Sequence, residues 1–69
     1  MTAMLKTTIG NRTYVWNPKH KELESRVKSK TGDIVMEWVH PGIKTLHDAE
    51  QCIIRLTSYD GIIVWLDVE

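Results

Sequence analysis

The sequence contains no phenylalanine, one cysteine, two prolines and four glycines in 69 residues. A single cysteine excludes an internal disulfide framework, which a secreted domain of this size usually needs. The glycines are scattered, so neither a Walker-type phosphate loop nor a dinucleotide fingerprint is present. The start, MTAMLK, has no basic region followed by a long apolar run, so we expect no secretory leader. These features predict a cytoplasmic protein.

Long apolar runs are also missing, although the composition is 42% hydrophobic. The chain is therefore too interrupted for a transmembrane span and too apolar for a disordered segment. At this length a chain forms one domain and buries only about 60% of its unfolded surface. We expect a single domain over residues 1–69, with one core and no membrane contact.

The charges balance overall but not locally, because nine basic residues oppose nine acidic ones. Residues 12–30 contain six basic and two acidic side chains, a local charge of +4. Residues 33–69 contain two basic and seven acidic side chains, a local charge of −5. Such a chain can present a basic and an acidic surface on the same small body.

Three patterns in the first half of the chain predict strands. MLKTTIGNRTYVW is typical of a hairpin, because Gly10 and Asn11 readily take the positive φ values of tight turns. ELESRVKSK alternates strictly between two faces, which is the period of a half-solvated strand. DIVMEWVH is rich in β-branched residues and ends before Pro41.

A second helix at about 18–30 is the alternative for the third strand. Asn17 could cap such a helix and Gly32 could end it. Its apolar stripe would contain only Leu23 and Val27, which is narrow for a packed surface helix. The strand is therefore the preferred interpretation.

The clearest helix signal begins at Thr45, a good N-cap with Asp48 at the capping-box position. Apolar residues recur at helical spacing as far as about Ser58, and Gly61 is expected to end the helix in a left-handed conformation. GIIVWLDVE, residues 61–69, then predicts a strand with two apolar faces. The predicted fold is α+β, a mainly antiparallel sheet of four to five strands with one helix on one face, in the order β-β-β-β-α-β.

One helix can cover only one face of such a sheet. We expect it to cover one apolar face, which consists of Ile62, Val64, Leu66 and Val68 with Ile34, Met36, Trp38, Leu23 and Val27. The opposite face needs another explanation. Either residues 17–30 cross and cover it, or it binds a protein partner or a second copy as a homodimer. In the second case Trp65 would be the buried anchor within an apolar patch and a polar rim. The predicted partner-binding residues are Trp65, Ile63, Val35, Val39, Glu37, Arg26 and Asp67.

Catalytic and metal-binding patterns are weak. Cys52 and His47 are five residues apart in the predicted helix, which points them to different faces and leaves Cys52 as a small core residue. No histidine and cysteine have zinc-site spacing. We therefore expect no enzyme activity, no cofactor, no metal and no small-molecule substrate.

The basic segment at 12–30 supports a nucleic-acid-binding module as the alternative function. Aromatic side chains beside lysine and arginine can stack on bases while the cations neutralise phosphates. The candidate residues are Arg12, Tyr14, Trp16, Lys19, Lys21 and Lys28. Glu22 and Glu24 dilute this signal, and the sequence pI of about 6.8 is not basic.

The preferred hypothesis is a small non-enzymatic regulatory protein that acts by stoichiometric protein contact. Its size and lack of catalytic groups would suit a phage or mobile-element inhibitor that occupies the surface of a host machine. The acidic half of the chain would also suit imitation of nucleic acid.

Overall fold

A computed structural model of the chain describes residues 4–68. Within this range the chain forms five strands and one helix, and the predicted fold class is confirmed. The elements are β1 Leu5–Ile9, β2 Arg12–Asn17, β3 Glu22–Lys28, β4 Ile34–Pro41, α1 Leu46–Thr57 and β5 Leu66–Asp67. Met1–Ala3, at the start of the chain, and Glu69, at the end of the predicted last strand, lie outside the described residues.

The sheet has the strand order β4-β3-β2-β1-β5, and all neighbouring strands are antiparallel. The first four strands form a meander of consecutive hairpins, as the short turns between them require. β2 is therefore the central strand, while β4 and β5 form the two edges. The edges differ in length, since β4 has eight residues and β5 has two.

The predicted hairpin at the start of the chain is present as β1 and β2. Ile9 lies opposite Arg12, so the connection is the dipeptide Gly10-Asn11. Gly10 has a φ of 64°, and Asn11 is not among the residues with positive φ. Glycine at the first central position of such a turn gives the twist that an antiparallel pair needs.

The alternative helix at about 18–30 is wrong, because β3 occupies most of that range. The helix-like signals serve a turn instead. The Asn17 side chain accepts hydrogen bonds from the backbone N–H groups of Lys19 and His20, at 3.1 and 3.3 Å. Lys21 then adopts a left-handed φ of 54° and returns the chain into β3. An asparagine before a proline therefore initiates a tight turn here.

Helix α1 begins as predicted at Thr45, whose hydroxyl accepts a hydrogen bond from the Asp48 N–H at 3.1 Å. The helix ends at Thr57. Ser58 follows as its C-cap and takes the left-handed conformation that was predicted for Gly61. Gly61 instead lies against the Tyr59 side chain. A Cβ atom at this position would meet the end of the Tyr59 ring, so a larger residue would require that ring to move.

The core lies between α1 and the centre of the sheet. Helix α1 contacts β2, the strand at the middle of the strand order. Its Ala49 and Ile53 side chains are fully buried in a cluster with three sheet residues. These are Tyr14, Trp16 and Leu23. The Trp16 indole also donates to the Ile43 carbonyl at 3.1 Å, which fixes the segment leading into the helix.

The segment after the helix differs from the predicted strand at 61–69. Only Leu66–Asp67 pairs with the sheet, and it pairs with β1. Ile63 and Trp65 pack against the core on the helix side, whereas Ile62, Val64 and Leu66 are exposed. The predicted faces of this segment are therefore exchanged. The alternation alone could not decide them, because the register of Asp67 against Leu5 sets which side faces the helix.

The left-handed residue at the helix C-terminus generates a stability prediction. A non-glycine residue in this conformation costs roughly 1 kcal/mol, since its Cβ approaches the following carbonyl. We expect Ser58→Gly to raise the free energy of unfolding by about 1 kcal/mol in urea titrations. Ser58→Ala is the matched control, because alanine retains the Cβ and should give no such gain. Equal stability of the two variants would contradict the assignment of this cap.

Candidate protein interface

Strand β4 has the longest run of exposed apolar side chains among the strands of the described chain. Its large apolar side chains retain between 41% and 57% of their accessible surface. They are Ile34, Val35, Met36, Trp38 and Val39. We call this strand, together with its backbone N–H and C=O groups that point away from β3, the β4 edge. Exposed single apolar residues are ordinary, but a contiguous run along one edge strand is typical of an interaction site.

Geometry explains why β4 is uncovered. Five strands spaced about 4.8 Å apart make a sheet roughly 19 Å wide between the outer strands. A helix with its side chains is only about 10–12 Å across. Because α1 packs on the central β2, and Ile63 and Trp65 pack beside it, the β4 side of the same face receives no covering element within residues 4–68.

The pairing of β2 and β3 determines which backbone groups of β4 point to the free edge of the sheet. The Lys28 N–H donates to the Asn11 carbonyl at 3.1 Å, which makes 28 and 11 a hydrogen-bonded pair. Antiparallel pairs alternate between hydrogen-bonded and non-hydrogen-bonded types, so Ser25 and Leu23 direct their backbone groups towards β4. The residues opposite them, Trp38 and His40, therefore direct their backbone N–H and C=O groups towards β3. Glu37 and Val39 direct both of these groups towards the free edge of the sheet.

Both ends of the β4 edge are interrupted. The register shifts between Val27 and Lys28, where Val35 is an extra residue on β4 between Met36 and Ile34. This irregularity is a bulge, which bends the strand and disturbs further pairing. At the other end Pro41 has no N–H to donate. The regular part of the edge is thus the segment from Met36 to His40.

A small ion-pair network lies on the sheet face opposite the helix. Arg26 Nη2 is 2.8 Å from Glu24 Oε2, and Arg26 Nε is 3.6 Å from Glu37 Oε1. All three side chains are about one-third to one-half exposed, so each pair stabilises the fold by less than about 1 kcal/mol. The network instead holds the Glu37 carboxylate beside the β4 edge, where Arg26 partly offsets its charge.

On the helix side, Trp38 lines a cavity of about 250 Å³ between β4 and the last turn of α1. Arg12, His40 and Leu56 line the same cavity, with the buried Ser25 at its floor. Trp38 lies directly opposite Ser25, which lies opposite Tyr14, so all three share the helix face of the sheet.

The predicted partner-binding residues fall into two groups. Val35 and Val39 lie on the β4 edge as exposed residues, with Glu37 between them and Arg26 on the adjacent strand. Ile63 and Trp65 are partly buried on the helix side, near the opposite edge of the sheet. The predicted single patch is therefore not formed.

The one remaining predicted residue, Asp67, lies with the second group. Asp67 is exposed on β5, opposite Leu5 of β1. Trp65 also has a polar contact of its own, because its indole donates to Glu50 Oε1 at 3.3 Å. Its ring thus connects the last segment to α1.

The residues of the nucleic-acid hypothesis are also separated. Tyr14 and Trp16 belong to the core, with 0% and 9% exposure, so neither ring is available to stack on a base. Arg12 and Lys28 lie at one end of β2 and β3, while Lys19 and Lys21 lie in the loop at the other end. The exposed lysines remain able to contact phosphates, but the structure does not combine them with exposed aromatic rings.

Cys52 is half-buried on α1 and packs against the core. Burial raises the pKa of its thiol, and the nearby Arg55 opposes this increase. A raised pKa keeps the thiol protonated at neutral pH, which is the opposite of an activated nucleophile. Within residues 4–68, no three His, Cys, Asp or Glu side chains are grouped so that they could hold a metal ion.

The sequence did not predict that the helix-facing side chains of β4 are exposed. Met36 and Trp38 were expected beneath the helix, together with Ile34. The run IVMEWV is apolar on both faces, which is typical of a central strand buried on both sides. Pro41, at the end of the strand, was the available signal for an edge position, because proline occurs in sheets almost only at edges.

No protein-family model, curated protein or solved structure matches this chain. Among the described residues, the helix is neither long enough nor apolar enough to cross a bilayer.

The position of Trp65 generates a prediction about stability. Truncation of a fully buried tryptophan costs about 3–5 kcal/mol, and Trp65 is only partly buried. We expect Trp65→Ala to lower the free energy of unfolding by about 2 kcal/mol. Leu66→Ala is the control, because Leu66 is 59% exposed and should change stability by less than about 0.5 kcal/mol. A Trp65→Ala variant of normal stability would instead favour an interface role for this ring.

Proposed function

We propose that this protein is a non-enzymatic binding module that acts by stoichiometric protein contact through the β4 edge. The observation that carries the proposal is an eight-residue edge strand with exposed apolar side chains on both faces, whose outer backbone pairs with no other strand within residues 4–68. Natural sheets usually protect such an edge with charges, prolines or a covering segment. An edge left open over its regular part is best explained by a partner strand that covers it.

The mode of binding would be strand addition. A partner strand can accept and donate main-chain hydrogen bonds at Glu37 and Val39, which supply affinity that does not depend on the partner's sequence. Side chains then supply the specificity, because successive residues of the added strand contact opposite faces of the sheet. Trp38 would meet the partner on the helix face, and Val39 on the other face.

The charges beside the edge would set the orientation of the partner. Glu37 is the only acidic residue between Ile34 and Pro41, and Arg26 partly offsets its charge at 3.6 Å. A charged rim of this kind changes association rate and register more than affinity. The same surface would suit a regulatory subunit or an inhibitor that occupies a host protein.

Proline substitution at the edge provides the test. Val39→Pro removes an N–H that points away from β3, so the sheet should remain folded while strand addition loses a hydrogen bond and gains a steric obstacle. With the purified protein as bait in extracts of its source, we expect a partner retained by the wild type to be reduced at least tenfold by Val39→Pro.

Val39→Thr is the matched control, because threonine keeps the N–H and the β-branched shape and should retain the partner. Circular dichroism and urea unfolding would verify that both variants fold. A partner that binds folded Val39→Pro as strongly as wild type would contradict the β4 edge as the binding site.

A further inference from the structure

We infer that the strand added to the β4 edge is β4 of a second copy of this chain, paired antiparallel about a two-fold axis at Trp38. This inference rests on the proposed function and names its partner. Two copies joined in this way would form one continuous sheet, with both helices on the same face. Three features of the edge select the pairing: its hydrogen-bonding pattern, its charges and the space beside α1.

The hydrogen-bonding pattern fits self-pairing at Trp38. Residues of the two copies that oppose each other must both direct their backbone groups outwards or both inwards. With the axis at Trp38, Glu37 of each copy lies opposite Val39 of the other. These are the residues whose N–H and C=O groups point to the free edge, so each such pair exchanges two N–H···O bonds. Trp38 faces its own copy as a non-hydrogen-bonded pair, in which side chains approach most closely.

The charges distinguish this register from its neighbour. An axis at Glu37 would place the two Glu37 carboxylates directly opposite each other, and like charges at opposed positions are destabilising. The axis at Trp38 opposes Glu37 to the uncharged Val39 and leaves the Arg26 ion pair of each copy intact. It also keeps the paired region between the bulge at Val35 and Pro41, where the strand is regular.

Side chains on the helix face are complementary in the same register. Trp38, which is 41% exposed, would stack beside Trp38 of the second copy. Met36 would lie opposite His40, where its flexible side chain can fill the edge of the 250 Å³ cavity that His40 and Trp38 line. Aromatic cross-strand pairs are among the more stabilising contacts between neighbouring strands. The apolar surface that α1 leaves open would thus be covered by the same surface of the other copy.

The helices do not obstruct this arrangement. Each α1 packs on β2, and the two β2 strands would be five strand spacings apart, or about 24 Å. Helices about 10–12 Å across then leave a gap of roughly 12 Å between them, above the paired β4 strands. This gap accommodates the Trp38 and Leu56 side chains of both copies without contact between the helix backbones.

Cysteine crosslinking tests the register and the partner together. The native thiol is removed by Cys52→Ser, and Trp38→Cys or Glu37→Cys is introduced separately on that background. An opposed non-hydrogen-bonded pair has the Cα separation that a disulfide requires, whereas diagonal residues lie beyond it. In a glutathione redox buffer, we expect Trp38→Cys to form a covalent dimer at least tenfold more than Glu37→Cys does.

The mass in solution completes the test without altering the tryptophan. Light scattering of the wild type over a wide concentration range should give a mass that rises to twice the chain's 8.0 kDa. Val39→Thr should behave in the same way, and Val39→Pro should remain at the mass of one chain. A covalent dimer that forms preferentially through Glu37→Cys would overturn the axis at Trp38. A wild type that stays monomeric at every concentration and gives no crosslink would overturn self-pairing.

Failure of this inference can be separated from failure of the proposed function. If the wild type is monomeric but retains a protein that Val39→Pro loses, the β4 edge binds a different chain and only the self-pairing is wrong. If the wild type is monomeric and Val39→Pro retains every protein that the wild type retains, both are wrong. A dimer that Val39→Pro abolishes supports both.

Discussion

The contact between α1 and β2 determines the rest of this structure. One helix lies over the central strand and buries its Ala49 and Ile53 against Tyr14, Trp16 and Leu23, which together form the core cluster. The sheet is about twice as wide as the helix, so a central helix must leave a strand uncovered on at least one side. The chain after α1 returns towards β1 and fills that side with Ile63 and Trp65, which leaves β4 open.

The three tryptophans show how position decides the role of one residue type. Trp16 is in the core and donates to the Ile43 carbonyl, while Trp65 is partly buried and donates to Glu50. Trp38 lies on the same sheet face but beside α1 rather than beneath it, with 41% of its surface exposed. An indole gains much free energy from burial, so the proposed partner on β4 would stabilise Trp38 by covering its exposed part.

Local sequence patterns were sufficient to predict the helix and strands but not which strands pair or in which register. The Gly10-Asn11 turn, the alternation in β3 and the Thr45 cap each depend on residues close in sequence, and all three are present. The position of the last strand depends on a pairing between residues about sixty positions apart, such as Leu5 and Asp67. Without that pairing, the alternation in residues 61–69 could not show that Trp65 faces the helix. The candidate site was therefore predicted in part, through Val35, Val39, Glu37 and Arg26, while Trp38 was assigned to the covered face.

The unequal lengths of the two edges have a consequence for how large an assembly can become. A sheet that joins its β4 edge to the β5 edge of the next chain would have no natural end and would grow into a filament. Here β5 offers only Leu66–Asp67, too short a ladder to hold a neighbour. A chain with a single usable edge can join one other strand and no more. If two copies pair through β4 as proposed, the short final strand would prevent further strand addition, so the assembly would stop at two chains.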